Sequence, residues 1–325
     1  MECNVYDTSL ARVGAVYTWI SMVWEESYNS EGSFALEMQL EEGLAELFRP
    51  GRYCGMPGKD TLMLIQSVMI RENTVLVGGV PAAELLKHRV NTESILEKNT
   101  EAALLGLVGK MAPWENVTTG ESSGLTGTVT AEPDGGTVWD YCQTAAEAAD
   151  MGFGLFFDRE QRKLVFRCYR PGEDANQKYS SRYGNAGNVS FSVSEAGYKN
   201  VAAVRGEYIT GTPVTVYAGN TELSGSARRE MYLKGESQTT EESMDAYQAR
   251  LAAMGEAKLL EQIRVKSLTF DIDDEKIPLG GMVRCDFPEL NLKAKVRIIG
   301  VTETSEQNGT VRTARLGTPI IMRRR

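Results

Sequence analysis

Histidine is almost missing from this 325-residue chain, which contains His88 and no other. That scarcity argues against imidazole-rich zinc centres and against most Ser–His or Cys–His nucleophile pairs. Cysteine is sparse and scattered, at Cys3, Cys54, Cys142, Cys168 and Cys285, without any Cys-x-x-Cys spacing. Neither a zinc site nor a thioredoxin-like pair is indicated. Cys142 falls on the apolar face of a helical pattern and Cys168 in a strand pattern, where buried free thiols are expected, and the chain reads as one made in a reducing cytosol. No apolar run approaches the roughly 18 residues of a membrane span. The N-terminus lacks a basic segment leading into an unbroken apolar core, so no signal peptide is expected either. Basic charge is also short: 35 Lys and Arg against 44 Asp and Glu give a net charge of −9, the wrong sign for a protein that holds nucleic acid by neutralising phosphates. Gly78-Gly79 lacks the Lys-Ser/Thr of a phosphate loop, and no GxGxxG follows a strand pattern. The residues thus indicate no catalytic, cofactor-binding or metal site. With 42% hydrophobic and 24% charged residues, the composition is that of a folded protein with room for two or three cores.

What the chain has in quantity is β signal, densest from Arg264 to Thr318. Val265, Leu268, Phe270 and Ile272 largely alternate with polar residues, as in a strand with one buried face. Pro278-Leu279-Gly280-Gly281 predicts a tight glycine-dependent bend before a strand over Met282–Phe287. Val296, Ile298 and Val301 precede the turn Glu306-Gln307-Asn308-Gly309, whose Asn-Gly pair readily takes positive φ, and Val311, Ala314 and Leu316 return antiparallel. The N-terminus is also β in character. Val5 to Met38 reads as strands with turns, including Trp19 and Trp24 and a strand over Phe34–Leu40, while Glu41 to Asp60 is irregular around Pro50-Gly51 and Pro57-Gly58.

Between these stretches, Leu62–Met69 and Thr74–Val77 read as a hairpin across Arg71-Glu72-Asn73. Pro81 is placed for the first turn of a helix to about Arg89. Thr92 to Met111 reads as one helix, with Ile95, Leu96, Ala103, Leu104, Leu107 and Val108 on one side and Pro113 as its stop. The Gly/Ser/Thr-rich stretch from Glu115 to Thr137 reads as an exposed or mobile loop. Thr137 and Asp140 have capping-box spacing for a helix that carries Val138, Tyr141, Cys142, Ala145, Ala146 and Ala149 on one face and stops at Gly152. A hairpin over Asp158–Gln161 follows. Strands are expected over Asn188–Ser194, Val214–Tyr217 and Arg229–Leu233, the latter two extending the sheet. Thr239 with Glu242 signals a helix to about Gln262, with Met244, Tyr247, Leu251 and Met254 on one stripe.

Several of these stretches, in this order, resemble phage tail hub proteins. The hubs concerned sit at the distal end of siphophage tail tubes and are related in fold to the baseplate hubs of contractile tails. The matching segments are "GSFALEMQL", "GGVPAAELLKHRV", the small-residue helix with its hairpin, "EAGYKNVAAVRGEY", and the "PLG", "IIGV" and terminal "LG" features of the last third. Leu85, Leu86 and Arg89 carry over as structural positions. The resemblance implies an α+β fold, mainly antiparallel β. It has barrel-like N- and C-terminal β-domains over 1–90 and 188–325, the latter including a linking helix at 240–262, and an inserted helix-hairpin module over 91–187. It implies a virion tail-tip protein made in the bacterial host cytoplasm, a homotrimer with partners in the tail tube and distal tail proteins and in the tip spike or adhesin. Membrane insertion is not implied, and DNA enters only as passing cargo, past a lumen that negative charge would keep from sticking. The first hairpin and the C-terminal strands are the expected subunit contacts.

Candidate chemistry is thin. Gly120-Glu121-Ser122-Ser123-Gly124 fits the G-x-S-x-G string of a nucleophile elbow, but that elbow needs a strand before it, a helix after it and a later histidine. His88 precedes it, and the flanks are loop-like, so a flexible loop is the expected reading. His88 itself reads as a surface or interface residue. Asp271, Asp273, Asp274 and Glu275 could offer oxygens to calcium, yet their spacing is not an EF-hand, and a solvated turn is the plainer account. No acidic pair stands out for glycoside hydrolysis. Arg323-Arg324-Arg325 reads as a solvated tail. Asn116, Asn188 and Asn308 begin chance glycosylation sequons. Two alternatives remain: a receptor- or carbohydrate-binding tail protein using an exposed Trp114, and a tail-associated cell-wall hydrolase or endopeptidase, for which no catalytic group is apparent. The expectation is therefore a structural protein, not an enzyme.

Overall fold

Period-two alternation of buried and outward side chains governs most of the chain. The structure, a computed structural model, describes residues 2–112, 114–132, 135–172, 177–262, 265–272 and 277–321. The N-terminal stretch forms β1 (Cys3–Tyr6), β2 (Arg12–Val16), β3 (Ser21–Ser27) and β4 (Phe34–Gln39). Along β3 and β4, Met22, Trp24, Phe34, Leu36 and Met38 are buried while their neighbours turn outward. The irregular stretch after β4 holds a one-turn helix, α1 (Leu44–Leu47), and β5 (Tyr53–Gly55). Three residues are too few to show a period, yet β5 joins β1 to β6. β6 (Met63–Arg71) and β7 (Thr74–Pro81) form the expected hairpin, with Glu72 at φ 36° in its turn.

Gly78 and Gly79 lie inside β7, paired to β4 on one side and β6 on the other. At the irregularity between Ile65 and Ser67, β6 presses its backbone inward, and a Cβ on Gly79 would stand 2.3 Å from the Leu64 carbonyl oxygen. Pro81 therefore ends a strand and caps a 3-10 turn, Ala82–His88, instead of opening an α-helix.

The helical pattern read over 92–111 divides at Asn99. Residues Ile95–Asn99 form β8, which takes Ile95 and Leu96 out of the helix, and α2 runs Thr100–Met111. The Asn99 side chain accepts from the Ala102 amide at 3.0 Å, an N-cap whose local hydrogen bond outweighs the continuing apolar pattern. Pro113, the expected stop, lies outside the described residues. β9 (Val117–Thr119) runs parallel to β12 and β10 (Thr128–Ala131) antiparallel to β8, so both ends of the Gly/Ser/Thr-rich stretch are held in sheets. α3 (Val138–Ala148) has the capping box read from Thr137 and Asp140. Its left-handed terminal residue is Asp150, at φ 51°, while Gly152 opens β11 (Gly152–Asp158). The Asp158 carboxylate accepts from the Glu160 and Gln161 amides and closes the turn to β12 (Lys163–Tyr169). α2, α3 and this hairpin share a core built on Leu104, Leu107, Trp139, Cys142, Phe153 and Phe166.

The remaining elements are β13 (Lys178–Tyr179), β14 (Ala186–Ser194), β15 (Val201–Glu207), β16 (Pro213–Gly219), β17 (Glu230–Lys234), α4 (Met244–Glu261), β18 (Val265–Ile272), β19 (Met282–Phe287), β20 (Leu292–Glu306), β21 (Gly309–Leu316) and β22 (Ile320–Ile321). Two compact units result: Met1–Ser190 with Leu268–Arg325, and Phe191–Ser267. The sequence stretch 188–325 contributes to both. In the first unit the strand order is β14-β18-β21-β20-β3-β4-β7-β6-β5-β1-β2, with β19 and β22 on β20, and β13 beside β19. The path is open, with β14 and β2 at its ends, and the fold is mainly antiparallel β with a helix-hairpin module. Gly280 takes φ 79° in the expected bend, and its amide reaches the Ile298 carbonyl at 2.7 Å. In the β20–β21 turn only Gly309 has positive φ, at 136°.

The second unit is a three-stranded sheet, β16-β15-β17, with α4 packed on it through Tyr247 and Leu251. β16 and β17 thus make a sheet of their own instead of extending the large one. Ser243 caps α4 by accepting from the Ala246 amide at 3.2 Å, four residues after the Thr239 signal. Met244 and Met254 of the expected stripe are exposed.

These close approaches make two glycines diagnostic. Gly79→Ala is expected to destabilise the protein by about 1–3 kcal/mol through backbone displacement. Gly106→Ala, on the exposed side of α2 with open space at its Cβ, is expected to stabilise it by about 0.4–1 kcal/mol. Urea denaturation midpoints of the two variants measure both.

Candidate functional site

Ser122 is held by a carboxylate. Glu101, in the first turn of α2 and buried, accepts from Ser122 Oγ at 2.7 Å, from the Ser123 amide at 2.6 Å and from the Leu125 amide at 2.8 Å. Burial raises the cost of its charge. The Ser122 hydroxyl and the amides of Ser123, Leu125 and Gly124 outweigh that cost, and together they hold the carboxyl below the ordinary carboxylate range. Ser122 follows β9 and precedes β10, so the strand-to-helix turn of a nucleophile elbow is not formed. Within the stretch read as an exposed or mobile loop, residues 121–124 are exposed, and Ser122–Leu125 is clamped by this carboxylate. Sequence reasoning missed Glu101: the helix read over 92–111 placed it in mid-helix, and its amide and hydroxyl donors arrive from 21 to 24 residues away, a distance over which no period operates.

His88 is exposed at the end of the 3-10 turn and lines a cleft of about 310 Å³ with Tyr53, Leu85, Arg89, Trp114 and Asn116. The Arg89 guanidinium lies 5.6 Å from the Trp114 ring centre. Trp114 is half-buried against the helical core and is not the freely exposed aromatic that the receptor-binding alternative needed. Asn116 donates to the Thr8 carbonyl at 3.1 Å. Asp271 accepts from Asn188 Nδ2 at 2.6 Å and Thr313 Oγ1 at 2.8 Å, tying neighbouring strands together. Asp273, Asp274 and Glu275 lie outside the described residues, as do Arg323, Arg324 and Arg325. Among the described residues no three His, Cys, Asp or Glu side chains converge on a metal position, and no helix is long and apolar enough to cross a membrane. All five cysteines are free and buried. Burial pushes the Cys54 and Cys142 thiols well up and those of Cys168 and Cys285 to about 12.

Ser122 and Asp271 are engaged internally, and sheet edges and exposed apolar residues offer further surface. β2 and β14 end the large sheet. Val13 on β2, Tyr17 just beyond it and Leu40 after β4 are exposed. Tyr17, Trp19, Ile20, Met38 and Leu44 line a cleft of about 330 Å³ that reaches Gln307 in the β20–β21 turn. Trp19 Nε1 donates to Ser305 Oγ at 3.3 Å, fixing this corner. A second exposed apolar group, Tyr183, Leu290 and Ile320, lies on elements flanking β19 and β20. Sequence reasoning missed this second group because its members belong to a 3-10 turn or a two-residue strand.

Residues 72–318 match the family model described as Siphovirus ReqiPepy6 Gp37-like protein. Among solved structures, the chain is similar to the tail protein from Neisseria meningitidis MC58, at 15% identity and TM-score 0.60, over 97% of this chain and 95% of that one. It is similar to the prophage MuSo2 43 kDa tail protein from Shewanella oneidensis at 12% identity and TM-score 0.60, over 98% of each chain. The E. coli c3393 protein matches at 10% identity and TM-score 0.51, over 93% of this chain and 73% of that one. It is described as a type VI secretion component structurally similar to the T4 bacteriophage tail proteins gp27 and gp5. At these identities the likeness is one of fold. No curated protein matches the chain by sequence.

Glu101→Gln, which removes the accepting carboxylate, is expected to cost about 1.5–3 kcal/mol and to speed hydrogen exchange at the Ser123 and Leu125 amides. Because the folded carboxyl titrates below its unfolded counterpart, its stabilisation is present above the unfolded value and is lost as pH falls through the folded one. Protection at those amides should decline across that acidic window in the native chain and show no such step in the variant. Thiol reagent should label the folded protein slowly and all five cysteines in denaturant.

Proposed function

The chain belongs to the Siphovirus ReqiPepy6 Gp37-like protein family, and on that premise we propose that it is a structural component of a phage or prophage-derived tail. Its place is the hub at the distal end of the tail tube, joining the tube to tip spike or adhesin proteins. The observation that carries this reading is the fold it has in common, over 97–98% of its length, with tail proteins of Neisseria and Shewanella. Its physical support is the open sheet. β2 and β14 end a long strand path, and unpaired strand edges invite pairing unless a neighbour covers them. A head-to-tail contact whose rotation closes makes a ring, and three copies would form it, with DNA passing through as cargo. The protein acts by binding, not by catalysis: Ser122 is committed to Glu101, and Asp271 to Asn188 and Thr313.

Electron microscopy of particles carrying a gold-labelled tag on the C-terminus of this chain should place label at one end of the tail, at the tube's distal junction. Label on peripheral fibres would favour the receptor-binding alternative, and unlabelled mature particles would overturn both.

A further inference from the structure

Strand register sets like charges side by side in the first unit. Lys178 on β13 pairs with Arg284 on β19, and Arg284 pairs with Lys295 on β20. Directly paired residues share a face, so three cations stand in a row across three strands roughly 4.8 Å apart. Lys293 and Arg297 flank Lys295 on the same side of β20, because the residues between them, Ala294 and Val296, are buried, as are Tyr179 and Cys285 on the neighbouring strands. Lys178 has Asp286 at 3.4 Å, and Arg297 has Asp150 at 2.6 Å. Asp286 stands opposite Lys293 in the same register, yet among the described residues Arg284, Lys293 and Lys295 have no carboxylate within ion-pair distance. Like charges directly opposed weaken a sheet, and this cluster arises in a chain of net charge −9, so folding does not account for it. Ile320 continues the row beyond Lys295 and is 60% exposed.

The far end of β20 has the opposite character. Glu306 pairs with Ser21, and Ser21 pairs with Glu37, which sets the two carboxylates on one face two strands apart. Glu41 lines the same cleft as Tyr17 and Gln307. Glu37, Glu41 and Glu306 have no cation in ion-pair range among the described residues. Exposed apolar side chains accompany both ends, Tyr17 and Leu40 with the acids and Tyr183, Leu290 and Ile320 with the bases. Lys295 and Glu306 are on the order of 36 Å apart along the strand.

We propose that the basic row around Arg284 and Lys295 of one copy docks on the acidic end around Glu37 and Glu306 of a second copy of this chain. The inference rests on the ring reading and names the surfaces that would build it. The two patches are opposite in charge and alike in their apolar companions, which are the ingredients of a contact with a dry centre and a steering rim. They are different patches of one molecule, so the contact is head-to-tail and can close into a ring. A nucleic acid is the poorer occupant: the net charge of −9 repels a polyanion at long range.

The test uses the purified full chain, with the size of the assembly followed by sedimentation against concentration and salt. Arg284→Glu with Lys295→Glu, and separately Glu37→Lys with Glu306→Lys, should each weaken association at least tenfold while the circular dichroism spectrum stays native. Combining all four substitutions should restore association, because the signs are exchanged but remain complementary. Arg284→Ala should leave the melting temperature unchanged or raise it, since it removes an unfavourable neighbour, whereas a structural role would lower it. Assembly of the native chain that is indifferent to both double variants overturns this proposal and leaves the ring reading standing. A native chain that stays monomeric at every concentration and salt overturns the ring reading as well. Binding of duplex DNA that the Arg284/Lys295 variant abolishes, with assembly intact, would assign the row to nucleic acid and overturn the proposal.

Discussion

The pairing of β20 with β3 is the constraint on which the large unit depends. It sets Gly300–Glu306 against Ser21–Ser27, joining the two ends of the chain in one sheet. β20 is a single strand of 15 residues with two sets of neighbours: β19 and β22 along its first half, β21 and β3 along its second. The change occurs at the irregularity between Ile298 and Gly300. Such an irregularity shifts which alternate positions are buried. Ala294, Val296 and Ile298 are buried before it, and Glu303 and Ser305 after it. Burying Glu303 requires a partner, and Arg312 on the adjacent β21 supplies one at 2.8 Å.

Polar contacts between distant segments attach the helix-hairpin module to this sheet. Asn29, buried and left-handed at φ 50°, donates to the Met151 carbonyl at 2.8 Å and accepts from the Phe153 amide at 3.2 Å. That pins the start of β11 to the turn after β3. Arg297 reaches both the Gly280 carbonyl and the Asp150 carboxylate, and stacks over Tyr28 at 5.3 Å. The left-handed turn that ends α3 is thereby bound to the bend that precedes β19. Inside the module Glu101 gathers the Ser122–Leu125 segment in the same way. In each case a polar side chain is satisfied by backbone or by an opposite charge. Ser122, the serine of the G-x-S-x-G string, is thereby engaged in holding its own loop.

Much of the fold was legible because it is local. The β20–β21 hairpin, the β11–β12 hairpin with its Asp158 turn, the Thr137–Asp140 capping box and the Pro278–Gly281 bend each depend on residues within a few positions of one another. The misreadings occurred where a non-local partner outweighed a local pattern. Ile95 and Leu96 fit the helical stripe, but β10 drew them into a strand. The strand read over Thr74–Val77 continues through Gly78 and Gly79, which are the residues that let three backbones approach. β16 and β17 looked like extensions of the large sheet and instead pair with β15 under α4, where Gly255 brings the helix close enough that a Cβ would stand 2.8 Å from Ala218. The candidate surfaces were hardest to read, since Tyr183, Leu290 and Ile320 sit in elements of two or three residues with no period to show.

By itself the sequence determined the strand-rich character, the order of hairpins and helices, the turns that need glycine, and the family likeness, because these follow from side-chain period and backbone preference over short spans. Only the tertiary structure decided which strands became neighbours, and hence that Lys178, Arg284 and Lys295 form one row and that Glu306 and Glu37 share a face. Register between strands separated by tens to hundreds of residues is set by matching whole buried faces. No local window of sequence carries that information, so the distribution of charge over the surface emerged only when the sheet was assembled.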